Sequence, residues 1–86
     1  MADQAIFEVE DVFVIEGRGA VAIGRLIGGI IKKGMKSNIN EKQSEILGME
    51  IEGNQMESLT AGMSAGLLLT NIEKGDIQKG DKYYFQ

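Results

Sequence analysis

The 86 residues include no histidine and no cysteine. The first absence removes the commonest general base at neutral pH, and the two together remove the usual soft metal ligands. Without cysteine there is no thiol nucleophile and no disulfide framework, which fits a cytoplasmic protein. Ser37, Ser44, Ser58 and Ser64 have no imidazole to activate them. No stretch approaches the ~18 apolar residues of a membrane span. The opening MADQAIFEVE lacks the basic and apolar regions of a signal peptide. A phosphate loop, G-x-x-x-x-G-K-[ST], is absent too, so nothing in the chain is built to hold GTP. Positive charge is thin: nine Lys and Arg stand against thirteen Asp and Glu, a net charge of −4, and only Lys32, Lys33 and Lys36 cluster. Phosphate contacts dominate nucleic-acid affinity, so strong free-standing RNA binding is not expected. These absences imply no cofactor, no metal and no enzyme.

What is present reads as one soluble domain over residues 1–86, with 43% hydrophobic and 26% charged residues. A chain this short buries only about 60% of its unfolded surface, so it folds with modest stability. Runs rich in Val, Ile and Phe place strands at Phe7–Ile15, Ala20–Ile27, Lys36–Asn40, Ser44–Ile51, Ala65–Ile72 and Tyr83–Phe85. Glu16-Gly17-Arg18-Gly19 is a hairpin loop whose glycines supply positive φ, and Gly28-Gly29 marks a bend. Further turns fall at Lys32–Met35, Glu41–Gln43, Gly53-Asn54 and Gly75–Gly80, with one helical turn as an alternative for Met56–Gly62. Short strands with frequent turns predict a small barrel or sandwich.

Four patterns invite a chemical reading. Gly17-Arg18-Gly19-Ala20-Val21-Ala22 matches G-x-G-x-x-A, but dinucleotide binding needs a helix to start there, and Val21, Ile23 and Gly24 continue a strand instead. Asp76 and Asp81 do not fit a calcium loop. Glu50 and Glu52 share one face of a strand, where solvation is the commoner reason for paired carboxylates. The segments Ile31–Lys36 and Ile77–Lys82 repeat Ile-x-Lys-Gly-x-Lys, most simply as two similar turns in one barrel.

Val12-Phe13-Val14-Ile15 is apolar on both faces of its strand, with Val12 and Val14 on one side and Phe13 and Ile15 on the other. Two readings stay open. A bulge or loop covers both sets, or one set forms an exposed patch of the kind that marks a binding site. Four consecutive apolar residues exceed what a small barrel needs for its interior, which favours docking.

Glu10-Asp11-Val12-Phe13 with Ile15, Gly17-Arg18-Gly19, Val21 and Gly24-Arg25 resembles the first hairpin of domain 2 of elongation factor Tu-like translational GTPases. Gly34, Gly48-Met49-Glu50, Ala61-Gly62, Gly66-Leu67-Leu68-Leu69, Ile77 and Gly80 continue the likeness in order, from Phe7 to Phe85. The resemblance implies an all-β, six-stranded closed Greek-key barrel without its GTPase domain. It also implies a pocket for the aminoacylated 3′ end of tRNA and a contact with the small ribosomal subunit. The matching positions are Glu10, Asp11, Phe13, Ile15, Val21, Glu50 and Leu68, with Arg18 beside them.

The departures bear on the ligand. Elongation factor Tu has Thr where this chain has Ile23, a His-Arg pair where it has Glu52-Gly53, and Asn where it has Ser64. Losing the basic pair and gaining a carboxylate removes attraction for an RNA end. The expectation is therefore a non-catalytic module that docks a protein or ribonucleoprotein partner. The alternative is an autonomous binder of the aminoacylated tRNA end.

Overall fold

From Ala5 onward the side chains alternate, with Ala5, Phe7 and Val9 buried and Ile6, Glu8 and Glu10 turned outward. A period of two allows only a strand with one face on a core. In the computed structural model, which describes residues 4–86, this is β1, Ala5–Ile15. It is followed by β2 (Gly19–Gly28), β3 (Ile30–Lys32), β4 (Lys36–Ile39), β5 (Lys42–Ile51), β6 (Asn54–Gln55), β7 (Ser58–Thr60), β8 (Ser64–Leu69) and β9 (Lys82–Phe85). A 3-10 turn at Lys74–Asp76 is the only helical element among the described residues, and no helix there is long and apolar enough to cross a membrane.

Six strands run antiparallel in the order β4-β5-β8-β2-β1-β9. The ring closes between its ends: the Lys36 amide donates to the Gln86 carbonyl at 2.8 Å, and the Gln86 amide donates back at 2.9 Å. Closure removes the free edges on which small sheets aggregate. Strands β2 and β4 sit on opposite sides of the ring, so the intervening chain crosses the barrel end, in keeping with Greek-key topology. On the way, β3 pairs with β7 in a two-stranded ribbon, and β6 extends β5.

Inside, Phe7, Phe85, Leu26, Ile46, Leu67 and Leu69 are each at most 1% exposed, and Ile31 and Leu59 of the ribbon are fully buried. Gly24 on β2 pairs with Val9 on β1, beside the register shift between Val9 and Asp11. A Cβ there would run into the Glu8 carbonyl and stand 2.9 Å from the Phe7 ring, so only glycine lets that ring seat.

The turns depart from the expected positions in detail. Asn40-Glu41, with φ of 52° and 65°, joins β4 to β5, where Glu41–Gln43 was expected. Glu52-Gly53, with φ of 50° and 84°, joins β5 to β6 in place of Gly53-Asn54. Both are two-residue loops with positive φ throughout, the type I′ geometry that matches strand twist. Met56–Gly62 forms no helical turn; Ser58–Thr60 is β7, because Leu59 is needed as a buried cap beside Ile31. Strand β8 stops at Leu69, and Ile72 is buried from a loop.

One polar latch fixes the segment before β9. The Lys42 ammonium lies 2.8 Å from the Asp76 carboxylate, which also accepts from Asn40 at 2.7 Å and from the Glu73 amide at 2.8 Å. The Lys42 bond first, then the Glu73 amide and Asn40, bring the Asp76 carboxyl down to about 2. Nearby, the Tyr83 hydroxyl donates to Asp81 at 2.9 Å, and burial, then that hydrogen bond, push it up to about 12.

Candidate functional site

On the outer face of β1, β2, β8 and β5, cross-strand partners fall into rows. One row runs Phe13–Val21–Leu68–Gly48, and the next runs Asp11–Ile23–Gly66–Glu50. A glycine in each row leaves a gap where a side chain would stand. The result is a groove of about 680 Å³. A Cβ on Gly66 would come within 3.2 Å of Val21 Cγ1, so the groove floor accepts no larger residue there without movement.

The walls are apolar for separate reasons. The β1–β2 hairpin lifts Phe13 and Ile15 into solvent, 50% and 39% exposed. At its tip Arg18 donates its amide to the Ile15 carbonyl at 2.9 Å, and Gly17 takes the positive φ that a type II turn needs at its third residue. On the far side, Ile46 pairs with Leu69 and Gly48 with Leu68, which leaves Leu47 as the extra residue of a bulge. Leu47 lines the groove, about half exposed, and the bulge sets Gly48 beside it on the same face. Charge sits at the rim: Arg18 on the hairpin side, and Glu50 and Glu52 across from it. Gln55 makes a long hydrogen bond of 3.4 Å to Glu50.

Of the positions expected from sequence, Phe13, Ile15, Arg18, Val21, Glu50 and Leu68 line this one groove. Glu10 and Asp11 do not. Glu10 is the unpaired residue of a bulge in β1, between the pairs Val9–Gly24 and Asp11–Ile23. The Asp11 carboxylate instead accepts from the Val12 amide at 2.9 Å and stands 3.8 Å from the Lys79 ammonium. The expected two-sided division of the apolar run also changes. Val12 is 5% exposed but Val14 is 57% exposed, because the hairpin outruns the barrel end and leaves Val14 with no core to face.

The departures noted at Ile23, Glu52, Gly53 and Ser64 all fall within the groove lining, so the altered residues and the shared ones occupy one surface. Sequence reasoning missed Leu47, Ile51 and Gln55. Alternation with the buried Ser44 and Ile46 was a signal for Leu47; the bulge lets Gly48 share its face and turns Met49 inward, which alternation does not foretell.

Chemically the groove offers apolar contact, one guanidinium and two carboxylates. Among the described residues no three His, Cys, Asp or Glu come together as a metal site. Nothing there resembles a nucleophile with its base.

The family model for elongation factor Tu domain 2 matches residues 19–82. Among solved structures, the apo translation elongation factor SelB from Methanococcus maripaludis is 18% identical, with a TM-score of 0.84 over 94% of this chain and 18% of its own. A bacterial selenocysteine-specific elongation factor, EF-Sec, is 22% identical, with a TM-score of 0.80 over 96% of this chain and 14% of its own. This chain thus spans less than a fifth of either factor, and at these identities the likeness is one of fold. Most of the sequence matches one family model, and the chain belongs to the elongation factor Tu domain 2 family.

Proposed function

We propose that this chain is a non-catalytic docking module of the translation apparatus, binding a protein or ribonucleoprotein partner in the groove between the first hairpin and β5. The observation that carries the reading is the glycine-floored, apolar groove on the outside of a closed barrel, with the core complete without it. An apolar surface that folding does not use marks an interaction site. The rim carries two carboxylates against one guanidinium, so the fitting partner presents an apolar side chain with a cationic group beside it. Domain 2 of elongation factor Tu-like factors is itself a barrel without catalytic groups, which supports a binding role here.

A second reading has its own support. Phe13, Ile15, Val21, Glu50 and Leu68, five of the seven positions at which the chain resembles the tRNA-binding pocket, line this groove, and both structural neighbours are elongation factors, one selenocysteine-specific. On that reading the groove holds the aminoacylated 3′ end of tRNA.

The variant Leu68→Glu places a charge in the groove without touching the core. Aminoacylated and deacylated tRNA would be titrated against parent and variant, and partners captured from extract with and without nuclease. Docking of a protein partner predicts nuclease-resistant capture that the variant abolishes, and no discrimination between the two tRNAs. Tight binding of the aminoacylated form alone supports the second reading, and equal capture by parent and variant removes the groove from both.

A further inference from the structure

The repeated Ile-x-Lys-Gly-x-Lys segments end in Lys36 and Lys82, which open β4 and β9. Those strands meet at the seam that closes the barrel, on the side of the ring opposite the groove. The reciprocal Lys36–Gln86 hydrogen bonds set an antiparallel register that brings Asn38 opposite Tyr84. Gln43 stands next to Asn38 on β5, and Ile6 next to Tyr84 on β1. A second recess of about 440 Å³ results, and its lining includes Lys36, Asn38, Gln43, Lys82, Tyr84 and Gln86 but no carboxylate side chain.

We propose that this seam is a second binding site, for a short single-stranded segment of RNA. Tyr84 is 52% exposed on a sheet face, the placement of a stacking platform for one base. The carboxamides of Asn38, Gln43 and Gln86 surround it with the donors and acceptors that read a base edge. Lys82 is two residues from Tyr84 along β9, and Lys36 lies in the row on its other side, so a cation flanks the platform at roughly 7 Å in each direction. Among the described residues the ion pairs engage Lys42 and Lys79, which leaves both seam lysines to a ligand.

Glu45 stands opposite Lys36 and Glu8 opposite Lys82 on the same outer face. These carboxylates offset the lysines, so stacking and amide contacts provide more of the binding than phosphate attraction does. The site is accordingly weak and local, as the net charge of −4 requires.

The full chain, isotope-labelled for NMR, would be titrated at low salt with a short fluorescent oligoribonucleotide, single-stranded or annealed to its complement. Saturable binding of the single strand is expected, with amide shifts centred on Asn38, Gln43 and Tyr84. Tyr84→Ala weakens it at least about fivefold while Tyr84→Phe retains it. Lys36→Gln with Lys82→Gln lowers the slope of log affinity against log salt by roughly 0.7 for each phosphate that is no longer neutralised. All these side chains face solvent, and thermal melting verifies that each variant folds. Leu68→Glu leaves the oligonucleotide bound. Absence of saturable binding by the parent overturns the proposal, as do equal affinity of Tyr84→Ala or loss of binding in Leu68→Glu. Preference for the duplex also overturns it. A nuclease-resistant protein captured through Tyr84, with no oligonucleotide bound, reassigns the seam to a protein partner.

Discussion

Gly34 and Gly80 occupy the same place in two equivalent turns, each with a φ of 89°. The Gly34 amide donates to the Ile46 carbonyl at 2.9 Å and the Gly80 amide to the Val9 carbonyl at 2.7 Å. The bonds are returned alike: Ile46 donates to Met35 at 3.0 Å, and Val9 donates to Asp81 at 2.9 Å. Each turn therefore grips a buried strand residue before launching a strand of the closing seam. A Cβ at either glycine would meet nothing within 4 Å, so substitution costs backbone strain alone. Gly34→Ala and Gly80→Ala are expected to lose about 1–2 kcal/mol each, and by nearly equal amounts, in urea denaturation. Markedly unequal losses would deny the equivalence.

Gly19 is a harsher case. Its φ is 129°, and a Cβ would stand 2.7 Å from the Leu69 carbonyl oxygen across the β2–β8 pair. Strain and a backbone clash combine, so Gly19→Val should cost about 3 kcal/mol or more, clearly above the two turn variants. A thermal melt at the parent's temperature would show the hairpin to be assigned wrongly.

Phe13 and Phe7 lie on the same strand with opposite consequences. Phe7 is 1% exposed and Phe13 50% exposed. Phe7→Ala is expected to cost about 3–5 kcal/mol, and Phe13→Ala less than about 1 kcal/mol of folding free energy. Partner binding should respond in the reverse order, with Phe13→Ala weakening it by about 1–2 kcal/mol. One denaturation curve and one binding isotherm per variant decide the matter.

Acid should loosen the Lys42–Asp76 latch. The Asp76 carboxyl falls from 3.8 to about 2 on folding, so its contribution is complete above the unfolded value. That contribution is lost as pH drops from about 4 through 2. Asp76→Asn should therefore flatten the fall in melting temperature over that window relative to the parent. Parallel profiles for the two proteins would mean that another carboxylate governs acid unfolding.

GTP should find no site. Calorimetry with GTP and magnesium is expected to give only heats of dilution, because no loop presents its amides to phosphates ahead of a lysine. A saturable isotherm in the micromolar range would reopen the glycine motif at Gly17–Ala22.

The apolar and glycine pattern alone was enough for the barrel strands and for the first hairpin, because alternation in β1 and β2 and the Gly17 turn are local properties of adjacent residues. The absence of histidine and cysteine was equally legible, since composition needs no fold to be read. Three features depended on distant partners. Gly48 joins Leu47 on the groove side, and Met49 turns inward, only because β5 pairs with β8 in a register that spares one residue. The Ser58–Thr60 strand exists only because Ile30–Lys32 offers it a partner across the barrel end. Gly48 and Gly66 become a groove floor only when strands far apart in sequence set them in neighbouring rows beside Leu68 and Val21. Alternation determines which way a side chain points from its own strand. What it meets there is decided by register between strands, a property of the closed barrel and of no single segment.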